Sequence, residues 1–81
     1  MNIQLKLFAK AKELAGSDVV QLELPADATL KTLKVVLCAQ YPQLAKLADQ
    51  LLYAIDNDYA DETTVITESS EVACFPPVSG G

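Results

Sequence analysis

Hydrophobic and polar residues alternate from Ile3 to Phe8: Ile3, Leu5 and Leu7 fall on one side and Gln4, Lys6 and Phe8 on the other. That period of two is the signature of a half-buried strand. Residues 9–15 are mostly Ala, Leu, Lys and Glu, good helix formers, and Gly16 follows where a left-handed cap would end a short helix. Val20, Leu22 and Leu24 alternate with Gln21 and Glu23 until Pro25, which has no backbone donor and closes a second strand. Then the period changes. Leu30, Leu33, Val36 and Leu37 recur at helical spacing behind Thr29, a residue suited to an N-cap, and predict the main helix, with Cys38 on the flank of the stripe. It should stop before Pro42, because a residue that precedes proline is pushed out of helical geometry. Leu51 to Ile55 is β-prone and runs into Asp56-Asn57-Asp58, a turn signal, so a hairpin is expected there. A short β-prone stretch, Thr63 to Thr67, and a final strand, Val72 to Phe75, complete a reading of five strands and two helices.

A chain of 81 residues that is 51% hydrophobic has material for one compact domain and one small core. No apolar run approaches the roughly 18 residues of a membrane span, and Lys6, Lys10 and Lys12 interrupt the one candidate for a signal-peptide core, so a soluble, cytoplasmic protein is expected. The net charge is −5, with six lysines and neither arginine nor histidine, which argues against nucleic acid as a partner. The charge is also lopsided. Every lysine lies at or before Lys46, whereas Asp49, Asp56, Asp58, Asp61, Glu62, Glu68 and Glu71 follow it; this half either faces a basic partner or serves as a solubilising surface.

Candidate chemistry within the domain is sparse. Cys38 and Cys74 are too few for a disulfide framework or a zinc site, and read as small buried hydrophobes. Asp56 and Asp58 read as turn residues rather than as a metal pair, and no metal site is expected. With no histidine, glycine-rich phosphate loop or paired metal ligands, a stand-alone enzyme is not expected.

The end of the chain differs. Of three glycines, two are Gly80 and Gly81, a coincidence expected in roughly 0.5% of random termini. Before them stands the apolar, extended stretch Phe75-Pro76-Pro77-Val78, followed by Ser79. Pro76 and Pro77 cannot continue a sheet, so residues 1–75 should form the domain and residues 76–81 an extended arm. Two glycines give the thinnest backbone, able to thread a narrow channel and present a carboxylate to another protein's active site.

The ending Glu71-Val72-Ala73-Cys74-Phe75-Pro76-Pro77-Val78-Ser79-Gly80-Gly81 resembles the C-terminal signature of the MoaD-type sulfur carriers, the ubiquitin-like small subunits of molybdopterin synthase. Leu7-Phe8-Ala9, Glu13-Leu14-Ala15-Gly16 and Leu52 to Asp58 extend the likeness over the chain. The resemblance implies an α+β, β-grasp fold: a mixed five-stranded sheet packed on one main helix, with a second short helix. It implies that an ATP-dependent activating enzyme adenylates Gly81, that a sulfur donor converts it to a thiocarboxylate, and that the sulfur passes to cyclic pyranopterin monophosphate. ATP would then be used by the activating enzyme, with no cofactor held stably by this chain. It further implies a heterotetramer with the large synthase subunit, reached through Phe75, Pro76, Pro77, Val78, Ser79 and Gly80. Two positions depart from the pattern: Glu68-Ser69-Ser70-Glu71 lacks the usual glycine of its turn, and Cys74 replaces a frequent aromatic, which should thin the packing beside Phe75. Carriers for thiamin or transfer-RNA thiolation, ubiquitin-like modifiers and plain binding modules are the competing readings. Pro-Pro-Val-Ser and the chain length favour the molybdopterin branch.

Overall fold

The computed structural model describes residues 1–77; Val78, Ser79, Gly80 and Gly81 lie outside the described residues. The strands are β1 (Asn2–Leu7), β2 (Val19–Glu23), β3 (Leu52–Ile55), β4 (Asp58–Tyr59) and β5 (Val72–Phe75), and the helices α1 (Ala9–Ala15), α2 (Leu30–Gln40) and α3 (Ala45–Ala48). One mixed sheet has the order β2-β1-β5-β3-β4. Its centre is the parallel pair β1 and β5, in register Leu5↔Val72 and Leu7↔Cys74, and the other neighbours run antiparallel.

The alternation in the sequence becomes the two faces of this sheet. Ile3, Leu5, Leu7, Val20, Leu22, Tyr53, Ile55, Val72 and Cys74 are buried on the inner face, where α2 lays down Leu30, Leu33 and Leu37. Each fully buried leucine of this set contributes about 2–3 kcal/mol of apolar burial. No buried polar or charged residue occurs among the described residues, so the core is a dry layer between sheet and helix.

Local chemistry sets the boundaries. Gly16 ends α1 at φ 75, its N–H donating to the Lys12 carbonyl at 3.0 Å, as a left-handed cap should. Thr29 occupies the N-cap of α2 in extended geometry but makes no side-chain capping bond. The first N–H groups of α2 are satisfied instead by a loop: Leu30 donates to the Thr64 carbonyl at 3.0 Å and Lys31 to the Glu62 carbonyl at 3.2 Å.

That loop corrects the expected strand at Thr63 to Thr67. Its carbonyls are committed to α2, Asp61 Oδ1 accepts from the Thr63 N–H at 2.9 Å, and only one isolated bridge, Thr29↔Val65, resembles a ladder. The fifth strand is Asp58–Tyr59, folded directly onto Ile55 and Ala54 by a two-residue turn with Asp56 at φ 53 and Asn57 at φ 71. Two successive left-handed residues are what a twist-matched hairpin needs, and Asp and Asn tolerate them. A 3-10 turn, Pro42–Leu44, and α3 are additions to the expected elements; Leu44 is buried where the turn packs on α1 and α2, and Ala48 where α3 packs on α2. The turn without glycine also resolves. No residue from Thr67 to Glu71 has positive φ; Ser70 N–H donates to the Thr67 carbonyl at 3.0 Å, and Thr67 N–H to Ser70 Oγ at 3.0 Å. Hydroxyl bonds close this turn in a conformation that asks nothing of glycine.

Candidate docking face

The outer face of the sheet carries no helix among the described residues. Across it runs the row Val19, Lys6, Ala73, Ala54, Tyr59, set by the registers Lys6↔Val19, Lys6↔Ala73, Ala54↔Ala73 and Ala54↔Tyr59. Leu52 pairs with Phe75 one step nearer the chain's end. Phe8 completes the surface, and its position follows from a corner: Phe8 is extended (φ −131, ψ 154), and Ala9 turns back at φ 55 so that α1 buries Ala11. A non-glycine residue there costs about 1–2 kcal/mol. The corner leaves Phe8 48% exposed on the outer side.

Small and large side chains alternate to make a groove. Ala54 and Ala73 form its floor, and Phe8, Asn57, Tyr59 and Phe75 its walls, enclosing about 300 Å³. Tyr59 and Phe75 lie with ring centroids 6.0 Å apart at 53°. Tyr59 is 75% exposed, the most open large hydrophobic residue of the face. Aromatic walls around a methyl floor suit protein contact more than bond-making chemistry. Beyond Phe75 the chain passes through Pro76, half-buried, and Pro77, exposed, with no regular secondary structure. The described chain thus leaves β5 at the rim of the groove, and Val78, Ser79, Gly80 and Gly81, the rest of the expected arm, lie outside the described residues.

Phe75 is half-buried, with its side chain on this outer face, and Cys74, one residue earlier, is fully buried in the core. The expected thinning beside Phe75 is therefore corrected: successive strand residues point to opposite faces, so the size of Cys74 acts on the core. Burial pushes the Cys74 thiol up to about 12, which makes it inert near neutral pH. Cys38 is half-buried on the flank of α2. Asp56 is a latch: its Oδ1 accepts from the Glu71 N–H at 2.8 Å, and its own N–H donates to the Glu71 carbonyl at 2.8 Å. Asp61 is exposed, and the hydroxyl and N–H of Thr63 hold its carboxyl below the usual range. Among the described residues no group of acidic, cysteine or histidine side chains is placed to hold a metal.

A groove of about 380 Å³ opens on the helix side between α2 and α3. Its charges are internally matched: Lys34 Nζ lies 3.8 Å from Asp49, 3.5 Å from Glu62 and 5.5 Å from the centre of the Tyr53 ring. This is a clamp between elements. Burial raises the Tyr53 phenol above its ordinary range, and its hydroxyl donates to the Ala48 carbonyl at 3.1 Å.

Sequence reasoning named Phe75 as a partner-binding residue, and the structure sets Phe8, Leu52 and Tyr59, which it did not name, on the same candidate face. A signal existed for Phe8, an aromatic residue in the polar phase of the alternation of β1. Tyr59 required the hairpin register, which the sequence pattern alone left open.

A mixed sheet with parallel central strands and one helix across its inner face defines a β-grasp protein of the ubiquitin-like class. The chain belongs to the ThiS family, whose model matches residues 5–81. It is 34% identical over 87 residues to a molybdopterin synthase sulfur carrier subunit of Dictyostelium discoideum, covering 99% of this chain and 96% of the relative. To the subunit of the same description in Arabidopsis thaliana it is 28% identical over 81 residues, covering 100% and 84%. Its fold is similar to the crystal structure of small archaeal modifier protein 1 of Haloferax volcanii, with TM-score 0.87, 27% identity, and 95% and 98% of the two chains covered. No helix among the described residues is long and apolar enough to cross a membrane.

Proposed function

We propose that this chain is the sulfur-carrier subunit of a molybdopterin synthase and that the carboxylate of Gly81 carries the sulfur. The observation that carries the reading is the family match, which runs through Gly81, together with relatives of that description matched over nearly their whole length. The fold supports it: a groove lined by Phe75 stands where the described chain leaves β5.

In this reading the chain is not an enzyme by itself. A carboxylate oxygen of Gly81 attacks the α-phosphorus of ATP held by an activating enzyme, and pyrophosphate leaves. A sulfide equivalent from a sulfur donor then attacks the acyl carbon, the C–S bond forms, and AMP leaves with the electron pair of the broken C–O bond. The thiocarboxylate is a far better nucleophile than the carboxylate. Carried by the arm into the large subunit, its sulfur attacks a carbon of cyclic pyranopterin monophosphate and displaces an oxygen leaving group, and water then cleaves the acyl C–S bond, leaving the sulfur on the pterin and a carboxylate on Gly81. ATP and the catalytic bases belong to the partners, in the cytoplasm and in a heterotetramer with the large subunit. The outer face, with Phe75 as an anchor, positions the domain while Pro76, Pro77, Val78, Ser79 and Gly80 lead Gly81 inward.

The test isolates one carboxylate. Intact protein, protein with one residue added after Gly81, and Gly80→Val are incubated with the activating enzyme, ATP and a sulfur donor, and each is weighed by mass spectrometry. The added residue displaces the carboxylate by up to about 3.5 Å, where such reactions need alignment within about 1 Å. Gly80→Val adds bulk and removes backbone freedom. The intact protein should exchange one oxygen for sulfur at Gly81 and the other two should not; equal thiolation of the extended protein would overturn the reading. The likeness to a small archaeal modifier favours a second activity, isopeptide bond formation. The same spectrometer would show it as a branched peptide ending in Gly80-Gly81 on a target lysine.

A further inference from the structure

Lys6 stands out on the docking face, flanked across the sheet by Val19 and Ala73 and along the chain by Gln4 in β1 and Phe8 just beyond it. It is exposed, and its ammonium has no ion-pair partner within 4.0 Å among the described residues. It lines a second groove of about 170 Å³, continuous with the first through Phe8, Ala54, Asn57 and Ala73, with Glu71 also on its lining. Lys10, Lys12, Lys31, Lys34 and Lys46 lie on helices, which leaves Lys6 the one lysine on the sheet. A partner seated on Phe8, Tyr59 and Phe75 must cover this ammonium or force it aside. An ammonium desolvated without a counter-charge opposes binding strongly, whereas a matched carboxylate restores the interaction and fixes the register of docking.

We infer that the surface docking on the outer face presents a carboxylate to Lys6, and that this ion pair sets which partner fits. The inference rests on the docking role proposed above and adds the partner's chemistry. Of the second-half acids, Asp56 in the β3–β4 turn and Asp58 at the start of β4 lie two strands or more from Lys6, whereas Glu71 shares the lining of the Lys6 groove without reaching ion-pair distance. The complementary surface is thus basic toward the turn and carries an acid toward β1. Lys6 lies between Val19 and Ala73 in the row, where a seated partner covers it, so a wrong charge opposite it discriminates between partners more sharply than the acids at the rim do.

The test titrates the large synthase subunit of the same genome against the intact chain, Lys6→Met, Lys6→Glu and Phe75→Ala, with thermal unfolding confirming that each is folded. Lys6→Met keeps the apolar stem and removes the charge, and should weaken binding about tenfold; Lys6→Glu should weaken it about thirtyfold or more. Asp→Lys and Glu→Lys variants of the large subunit should include one that restores binding to Lys6→Glu and weakens binding to the intact chain. Loss on Phe75→Ala with Lys6→Met binding as well as the intact chain overturns the carboxylate and leaves the face standing. If Phe75→Ala binds normally too, the docking role itself has failed. A double-mutant cycle of Lys6→Met with Glu71→Gln closes the last route: coupling within this chain equal to the whole loss would make Glu71 the counter-charge and overturn the inference.

Discussion

Cys74 and Phe75 are neighbours on one strand and belong to different problems. Cys74 faces inward, is fully buried and keeps its proton; Phe75 faces outward, is half-buried and touches Tyr59 across the sheet. The same division runs through β1, where Leu5 and Leu7 hold the core and Lys6 faces out, as does Phe8 at the corner just beyond the strand. An inner residue is chosen by the volume left under α2, because interiors pack near crystal density. An outer residue is released from that demand and can answer to a partner. With the docking role proposed above, stability and recognition fall on alternate residues of the same strands, and substitutions should separate them.

The largest effect belongs to the inner face. Leu5→Ala should destabilise the free domain by about 3 kcal/mol, the cost of a buried leucine with partial collapse of the cavity, while binding per folded molecule stays unchanged. Phe75→Ala should do the converse, costing on the order of 2 kcal/mol of binding to the large subunit and less than about 1 kcal/mol of stability. Denaturant melts and titrations of both variants settle it. A Phe75→Ala domain that unfolds while its folded fraction binds normally would place Phe75 with the core and erase the division.

How much of this was legible beforehand follows the reach of the signals. Period-two and period-three-to-four patterns act over neighbouring residues, and they located β1, α1, α2 and β5 within a residue or two. The loop from Asp61 to Ile66 defeated pattern reading because its carbonyls serve α2, far away in sequence: β-branched Thr63, Thr64, Val65 and Thr67 look like a strand until those hydrogen bonds are known. The segment from Pro42 to Ala48 is too short for periodicity, and its Leu44 and Ala48 are explained by the gap they fill. On the candidate site, Phe75 and the two prolines were readable because the motif is contiguous. Phe8, Leu52 and Tyr59 join it only through strand pairing, and no local pattern encodes which strands are neighbours.

A smaller effect sharpens the comparison through pH. The Cys74 thiol is raised by burial from an ordinary 9.0 to about 12 in the folded state. A raised pKa means that the folded protein holds a proton the unfolded chain releases, so this stability is fully present below pH 9 and is lost as pH climbs toward 12. The loss should approach about 1.4 kcal/mol per pH unit within that window. The buried Tyr53 phenol is raised as well and tilts the curve the same way. In reducing buffer, denaturant melts from pH 8 to 10.5 should show this decline, and Cys74→Ala, though less stable at pH 7, should show a shallower one. An unchanged slope in that variant would mean that the thiol is hydrated in the folded state and that the inner face is less dry than its burial implies.

The smallest effect concerns the rim, where the outer face meets water. Lys34 engages Asp49 and Glu62, but Asp56, Asp58, Glu68 and Glu71 have no lysine within 4.0 Å among the described residues. Three of these four gather at the β3–β4 turn and the start of β5, beside Tyr59. Charges so exposed contribute little once contact is made, because water and salt screen them, yet they act at a distance while partners approach. Raising salt from about 0.05 to 0.5 M shrinks the screening length from roughly 14 to 4 Å, so association with the large subunit should slow several-fold while dissociation stays nearly constant. Asp58→Asn combined with Glu71→Gln should flatten the salt dependence and leave the folded domain untouched, since the latch at Asp56 uses the backbone of Glu71 and not its side chain. Stopped-flow association at graded salt reads both. An association rate indifferent to salt would reduce these acids to a solubilising surface, and a change confined to dissociation would move them from the rim into the contact itself.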